Sequence, residues 1–361
     1  MDGLERSRGG HQRVGIIGCG SIARWHVQTL LAVEEADIVG LVDPSEATLA
    51  QMRRAFPSLA EVPSFATAEE LYAAVDLDAV EINTPHTVHY AQVIDAIERG
   101  LHVLCEKPLA CSPEHAREVA RRAAASGLIV TVSYQRRVDP AYRYMRRAIE
   151  SGELGEIRAA NVVCGQHWKK ATAGSWRQVP ELSGGGMLMD SGSHLVDVLL
   201  WLVGQAPIAV AASVDDTGAP VDINTTAMIR FANGAQGQLT IIGDLPTTWI
   251  ESVIISGTLG VLRYETEPQH PWRTGRLLHY RGDDLVQPLN LDTATSPDAA
   301  WLAAIAGQGA NPAPPEEGVR VAELTDAIYR AAHERRPVDL VPPPADTMAQ
   351  ASAVPVAAGI A

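Results

Sequence analysis

The feature that most constrains the fold is Gly18-Cys-Gly20-Ser-Ile-Ala23, set between an apolar run at residues 13–18 and a helical pattern at 21–31. In a G-x-G-x-x-A turn the first glycine permits a sharp bend. The second leaves the backbone open to close approach, and the small third residue lets helix pack on strand. The helix N-terminus behind such a turn presents free N–H groups and the positive end of a dipole, which suits a pyrophosphate.

The same rhythm continues downstream. Apolar runs at 37–42, 79–83, 102–106 and 128–132 read as strands, and 88–99 and 113–126 as helices. Ser112 and Pro113 suit an N-cap and first helical position, while Gly100 and Gly127 stand where glycines close helices. Near-continuous apolar strands alternating with helices specify a doubly wound parallel sheet, so residues 1–133 are expected to form a dinucleotide-binding α/β domain. Asp43 ends the second strand, 23 residues after Gly20, where a carboxylate accepts hydrogen bonds from an adenosine ribose. Asp43-Pro44 also reads as a helix N-cap followed by proline, and the two roles are compatible. The nearest following arginine is Arg53, so nothing close by greets a 2′-phosphate, and NAD is favoured over NADP.

After residue 134 the rhythm changes. A helix is expected at 140–150 and another at 192–202, among β-rich runs at 157–163, 209–214, 225–231, 235–242, 249–256 and 260–264. Asn233-Gly234 is a hairpin signal. Residues 134–340 are thus expected to form a second domain on a mostly antiparallel sheet, with helical patterns near 298–333 packing back on the first domain. Residues 341–361 form a Pro/Ala-rich tail.

The formal charge of −14 repels phosphate backbones and anionic bilayers, which argues against nucleic-acid and membrane partners. The four cysteines form no C-x-x-C pair and read as reduced thiols. Residues 1–10 are charged with no apolar core, unlike a signal peptide, and the apolar stretch at 195–203 is too short to span a bilayer. A cytoplasmic protein is expected.

Only three of the 29 basic residues are lysines: Lys107, Lys169 and Lys170. Lys107 follows a strand end in Cys105-Glu106-Lys107-Pro108, where doubly wound sheets bind ligands. With Asn83-Thr84-Pro85-His86 and His89 before it, Glu106-Lys107-Pro108 resembles the Gfo/Idh/MocA oxidoreductases. Tyr134 to Tyr142, Gly152 to Ile157, Trp176-Arg177 and the run from Gly184 to Asp197 are similar to the same family, so the resemblance spans roughly residues 12–340. It implies an N-terminal Rossmann domain and a C-terminal α/β domain with a large, open, mostly antiparallel sheet for substrate binding and oligomerisation. It also implies an NAD(P)-dependent enzyme acting on a sugar, cyclitol or related polyol, as a homodimer or homotetramer. The family's catalytic lysine falls on Lys107, and its D-x-x-x-H pair on Asp190 and His194. Cofactor contacts fall on Gly18, Gly20, Ser21, Ile22, Asp43, Asn83, Thr84, Pro85, His89, Glu106 and Lys107. Substrate contacts fall on Lys107, Arg137, Trp176, Arg177, Asp190 and His194.

The residues themselves suit that chemistry. Oxidising a secondary alcohol needs a base for the hydroxyl proton while hydride leaves carbon. His194 has the right ordinary pKa, and an unperturbed imidazole would place the acid limb of the rate at about pH 6 to 8. Lys107 can stabilise charge on the reacting oxygen, and Asp190 can orient the pair or hold a neighbouring hydroxyl. At i and i+4 on a helix start, Asp190 and His194 would share a face, and Gly184 to Gly186 would let backbone approach a ligand. Competing structural roles are a cap for Asp190 and packing for His194. Asp190, His194 and Asp197 have metal-ligand types, but hydroxyl recognition explains the first two better; no metal is expected, and Asp197 reads as structural. Tyr134 and Arg137 are further pocket candidates. So is Trp168, beside Lys169 and Lys170, as either a sugar platform or a packed ring. Two other functions remain open: a glycosidase of the same family using NAD transiently, and a non-catalytic sugar sensor. An intact Lys107, Asp190 and His194 set argues against the sensor.

Overall fold

The structure, a computed structural model, describes residues 11–267 and 275–340. The charged N-terminal ten residues and the Pro/Ala-rich tail lie outside the described residues.

The first sheet contains β1 (Gln12–Ile17), β2 (Ala36–Val42), β3 (Ser64–Phe65), β4 (Ala79–Ile82), β5 (His102–Cys105) and β6 (Val130–Val132). All pair in parallel, in the order β3-β2-β1-β4-β5-β6. Five helices wind around it: α1 (Ser21–Leu30), α2 (Glu46–Ala55), α3 (Ala68–Ala74), α4 (His89–Glu98) and α5 (Pro113–Ser126). The predicted closure of α5 is present, with Ser112 accepting from the His115 N–H and Gly127 left-handed at φ +70°. The strand order reverses between β1 and β4, which opens a crevice at their carboxyl ends.

The second unit begins with α6 (Pro140–Glu150), β7 (Ile157–Gly165), α7 (Trp168–Ala171), α8 (Pro180–Ser183) and α9 (Gly192–Val203). It continues through β8 (Pro207–Asp215), β9 (Asn224–Phe231), β10 (Gln236–Ile242), β11 (Ile250–Gly257), β12 (Gly260–Glu265), β13 (Arg276–Arg281) and β14 (Asp284–Leu285). The chain then forms α10 (Pro297–Ile305), α11 (Pro315–Glu334) and β15 (Val338–Asp339). Nine strands form one sheet in the order β14-β13-β12-β11-β7-β10-β9-β8-β15. All of its pairs are antiparallel except the central β7–β10 pair, which is parallel. The Asn233-Gly234 turn joins β9 to β10, with Gly234 at φ +85°.

The apolar stretch at 195–203 proves to be α9, buried on all sides except at Trp201 because it packs on β7 and β10 beneath α6 and α11. Among the described residues no helix covers the opposite sheet face, and its Met228 is 66% exposed. Helix α10 packs on α1 and β5, and α11 bridges α5 and β6 to α9 and β8. These two helices hold the sheets together around the cleft.

Candidate active site

The glycine turn after β1 has the conformation its sequence demands. Gly18 is left-handed at φ +87°, and a Cβ there would lie 2.8 Å from the Asn83 backbone. Gly20 differs: a Cβ built on it meets no heavy atom within 4 Å, so its backbone faces open space. Helix α1 starts there with no side-chain cap and no acid in its first turn, leaving the N–H groups at Ser21 and Ile22 without a side-chain acceptor. An open glycine cradle at an uncapped helix N-terminus fits a pyrophosphate.

Asp43 braces this turn. Its Oδ2 accepts from the Cys19 N–H at 3.0 Å and its Oδ1 from the Ser45 N–H at 2.9 Å. Helix α2 begins at Glu46 with Ser45 as its N-cap, so Asp43 is not the cap that Asp43-Pro44 suggested.

Gly20, Ser21, Ile22, Asn83, Thr84, Glu106 and Lys107 line the cleft from the first sheet's side, where His86 joins them. Trp176 and Arg177 close it from the second unit. Asn83 is buried with its Nδ2 unpartnered. Glu106 reaches backward: Oε1 lies 3.1 Å from His26 Nε2, and Oε2 accepts from the Lys107 N–H. Pro85 only precedes the turn that opens at His86. His89 is fully buried, with its ring nitrogens 2.7 Å from the Pro108 carbonyl and 2.9 Å from the Thr84 carbonyl. It sits between the loops after β4 and β5 rather than facing the cleft.

At the centre is Asp190. Lys107 Nζ donates to its Oδ1 at 2.5 Å and to its carbonyl at 3.1 Å. Trp168 Nε1 and Arg177 Nε donate to Oδ2 at 2.7 and 3.0 Å. Burial alone would raise this carboxyl, but Lys107, Arg177 and His86 outweigh it and hold the group well below its ordinary value of 3.8. Asp190 therefore stays ionised and keeps the Lys107 ammonium aimed into the cleft.

His194 lies in the first turn of α9, 6% exposed, with Tyr134 edge-on at 6.4 Å. Its Nδ1 has no hydrogen-bond partner. Burial first, then Arg136 and Lys107, push it well below its ordinary value of 6.5, so it is a neutral imidazole. Helix α9 starts only at Gly192, so Asp190 sits in the preceding turn and the expected shared helix face does not form.

Several expectations are corrected. Arg137 does not line the cleft: its guanidinium is buried against Asp197 at 2.7 Å and Glu317 at 2.8 Å, an ion triad tying the Arg137 turn to α9 and α11. The three glycines serve the chain's own packing. A Cβ on Gly186 would lie 1.9 Å from the Asp222 carbonyl oxygen, one on Gly185 2.7 Å from the Tyr329 hydroxyl, and one on Gly184 2.4 Å from Cys111 Sγ. Trp168 is no sugar platform, since it is 3% exposed and faces Asp190. Lys169 donates to Thr217, and Lys170 is exposed. His86, not among the expected contacts, also belongs here: its Nδ1 lies 2.9 Å from the Ser183 carbonyl and its Nε2 3.6 Å from Asp190 Oδ1. Its signal was its place in Asn83-Thr84-Pro85-His86, next to the cleft.

Among the described residues, His26, Glu81 and Asp298 have metal-ligand spacing. However, both His26 nitrogens already face carboxylates, Asp298 at 2.8 Å and Glu106 at 3.1 Å, so no lone pair is left for an ion.

A glycine cradle facing a lysine–carboxylate pair, on a parallel sheet joined to a broad second sheet, defines a two-domain oxidoreductase of Rossmann type. The model of the oxidoreductase family with an NAD-binding Rossmann fold matches residues 12–134, and that of the GFO/IDH/MocA C-terminal domain matches residues 142–263. The chain is 30% identical to a 1,5-anhydro-D-fructose reductase of Ensifer adhaerens over 89% of this chain and 96% of that protein. It is 30% identical to an inositol 2-dehydrogenase of Corynebacterium glutamicum over 57% of this chain and 58% of that one. A levoglucosan dehydrogenase solved with NADH and levoglucosan superposes with a TM-score of 0.76 at 25% identity, covering 91% of this chain and 99% of the other. The chain belongs to the Gfo/Idh/MocA family.

Proposed function

We propose that this oxidoreductase transfers hydride between NAD and a secondary alcohol carbon of a sugar, glycoside or inositol. The observation that carries this reading is Lys107 bonded to Asp190 in the wall of the cleft into which Gly20 opens. The turn at Gly18 and Gly20, the start of α1 and Asp43 would hold the dinucleotide, with Asn83, Thr84 and Glu106 along its path. When bound, NAD supplies the hydride acceptor. Lys107 donates a hydrogen bond to the substrate oxygen and stabilises the negative charge that grows there. Neutral His194, in the first turn of α9, takes the hydroxyl proton. Asp190 fixes the lysine, and Trp176 and Arg177 offer the substrate an apolar face and hydrogen-bond donors.

NAD rather than NADP follows from Asp43, whose carboxylate would repel a 2′-phosphate and accept ribose hydroxyls. The uncovered face of the nine-stranded sheet suits pairing with a second copy, and we read the protein as a homodimer or homotetramer. Four free thiols support a reducing, cytoplasmic setting. No helix among the described residues is long and apolar enough to cross a membrane. The test is a panel of polyols, sugars and glycosides with NAD or NADP, followed at 340 nm beside an assay for released sugar. NADH formation with at least one polyol is expected. Sugar release without net NADH would replace the reading with glycosidase chemistry.

A further inference from the structure

We propose that Trp168 is a positioning residue for the reaction, setting Lys107 through Asp190. The inference rests on the role given above to Lys107. Trp168 follows β7 in the second unit, whereas Lys107 follows β5 in the first. The two meet through one carboxylate, with the indole N–H on Oδ2 at 2.7 Å and the ammonium on Oδ1 at 2.5 Å. A carboxylate held on both oxygens cannot rotate about its last bond without breaking one contact. The indole therefore fixes the plane that aims Oδ1 at Lys107.

The ring is itself immobile. It is 3% exposed, and the backbone beside it is pinned where the Lys169 N–H donates to the Gly243 carbonyl at 2.7 Å. Lys169 Nζ holds Thr217 at 2.7 Å, and the Gln178 amide donates to the Lys169 carbonyl at 2.7 Å. This exceeds what packing needs: phenylalanine would fill much of the same space, but only the indole supplies a donor at Oδ2. Arg177 also reaches Oδ2, but its side chain is 26% exposed at the cleft mouth, so it is the less fixed of the two donors.

The test compares Trp168→Phe with Trp168→His, which keeps a ring N–H, in the full-length protein. Two readouts are used. The first is kcat and KM with a polyol that the wild type oxidises. The second is the acetylation rate of Lys107 in the NADH-bound protein, read by peptide mapping. The chain has only three lysines, so exposed Lys170 serves as internal reference. Trp168→Phe should bind NADH normally and keep KM, but lose about tenfold in kcat, the order expected for one lost hydrogen bond to a charged group. Its Lys107 should be acetylated severalfold faster than in the wild type, and Trp168→His should recover part of both effects. A Trp168→Phe protein with normal NADH affinity, normal kcat and unchanged Lys107 labelling overturns the proposal. If Trp168→Phe does not fold, Trp168→Leu takes its place beside Trp168→His: faster Lys107 labelling in folded Trp168→Leu than in Trp168→His supports the role, and equal labelling in the two overturns it. If the wild type oxidises no polyol, the functional reading fails, and labelling still judges whether Trp168 holds Lys107.

Discussion

Lys107 Nζ and Asp190 Oδ1 lie 2.5 Å apart although the residues are 83 positions apart, one in the loop after β5 and the other in the turn before α9. The bond joins the two units beside the cleft, so the proposed catalytic pair exists only when both units are folded and docked. Removing the lysine amine takes away the donor to the reacting oxygen while leaving the glycine turn intact. Lys107→Ala should cost about 10²–10⁴-fold in kcat, the usual range for a positioned acid–base group, with NAD affinity little changed. Steady-state kinetics with fluorescence titration of NADH checks both halves.

Asp43 has two duties, as brace for the Cys19 N–H and as candidate acceptor for the ribose. Asp43→Ala should weaken NAD binding about tenfold, as expected for losing hydrogen bonds to a charged group, and narrow the gap to NADP. A wild type that prefers NADP by kcat/KM would remove the ribose role.

In the proposed mechanism His194 sets the pH dependence. Its imidazole is held well below the ordinary 6.5, so the neutral form that accepts a proton persists to lower pH than in a free histidine. The acid limb of kcat/KM should therefore fall below pH 6.5, lower than the unperturbed side chain alone would predict. His194→Asn should lose the limb and most of the rate, and Asp190→Asn should keep it, shifted. The paired comparison carries the assignment. The reverse pattern would make the carboxylate the base.

Arg137 distinguishes a binding role from a structural one. Arg137→Met leaves Asp197 buried without its ion-pair partner, while Glu317 keeps Arg320 at 3.0 Å, and should cost about 3–5 kcal/mol of stability, read by denaturant unfolding. A raised KM with unchanged stability would return Arg137 to the substrate pocket.

The legible parts of the chain were those fixed by local chemistry. The cap at Ser112, the stop at Gly127 and the run before Gly18 each carry their signal within a few residues, and the strands of the first sheet follow. Helices α2 and α3 carry a weak periodic signal, because their apolar faces are thin, although Ser45 caps one and a Thr67–Glu70 capping box opens the other. Strand β13 pairs only with β12 and β14 and has little hydrophobic alternation. Within the candidate site, the family resemblance pointed to Lys107, Asp190 and His194, and the structure joins the first two directly. What each side chain faces depends on contacts across the fold, which spacing does not encode. Trp168 meets Asp190 across 22 positions, Arg137 meets Glu317 across the docked helix α11, and the glycines at 184–186 meet Asp222 and Tyr329.

The most direct test of the central claim is isotopic. A polyol found to be turned over is supplied with deuterium at the oxidised carbon, and the reduced dinucleotide is analysed by mass spectrometry. One deuterium per NADH in the wild type, with formation slowed by at least about 10²-fold in Lys107→Ala, is the predicted result. Product formed while the NADH carries no deuterium, or labelled NADH formed at the wild-type rate by Lys107→Ala, would contradict it.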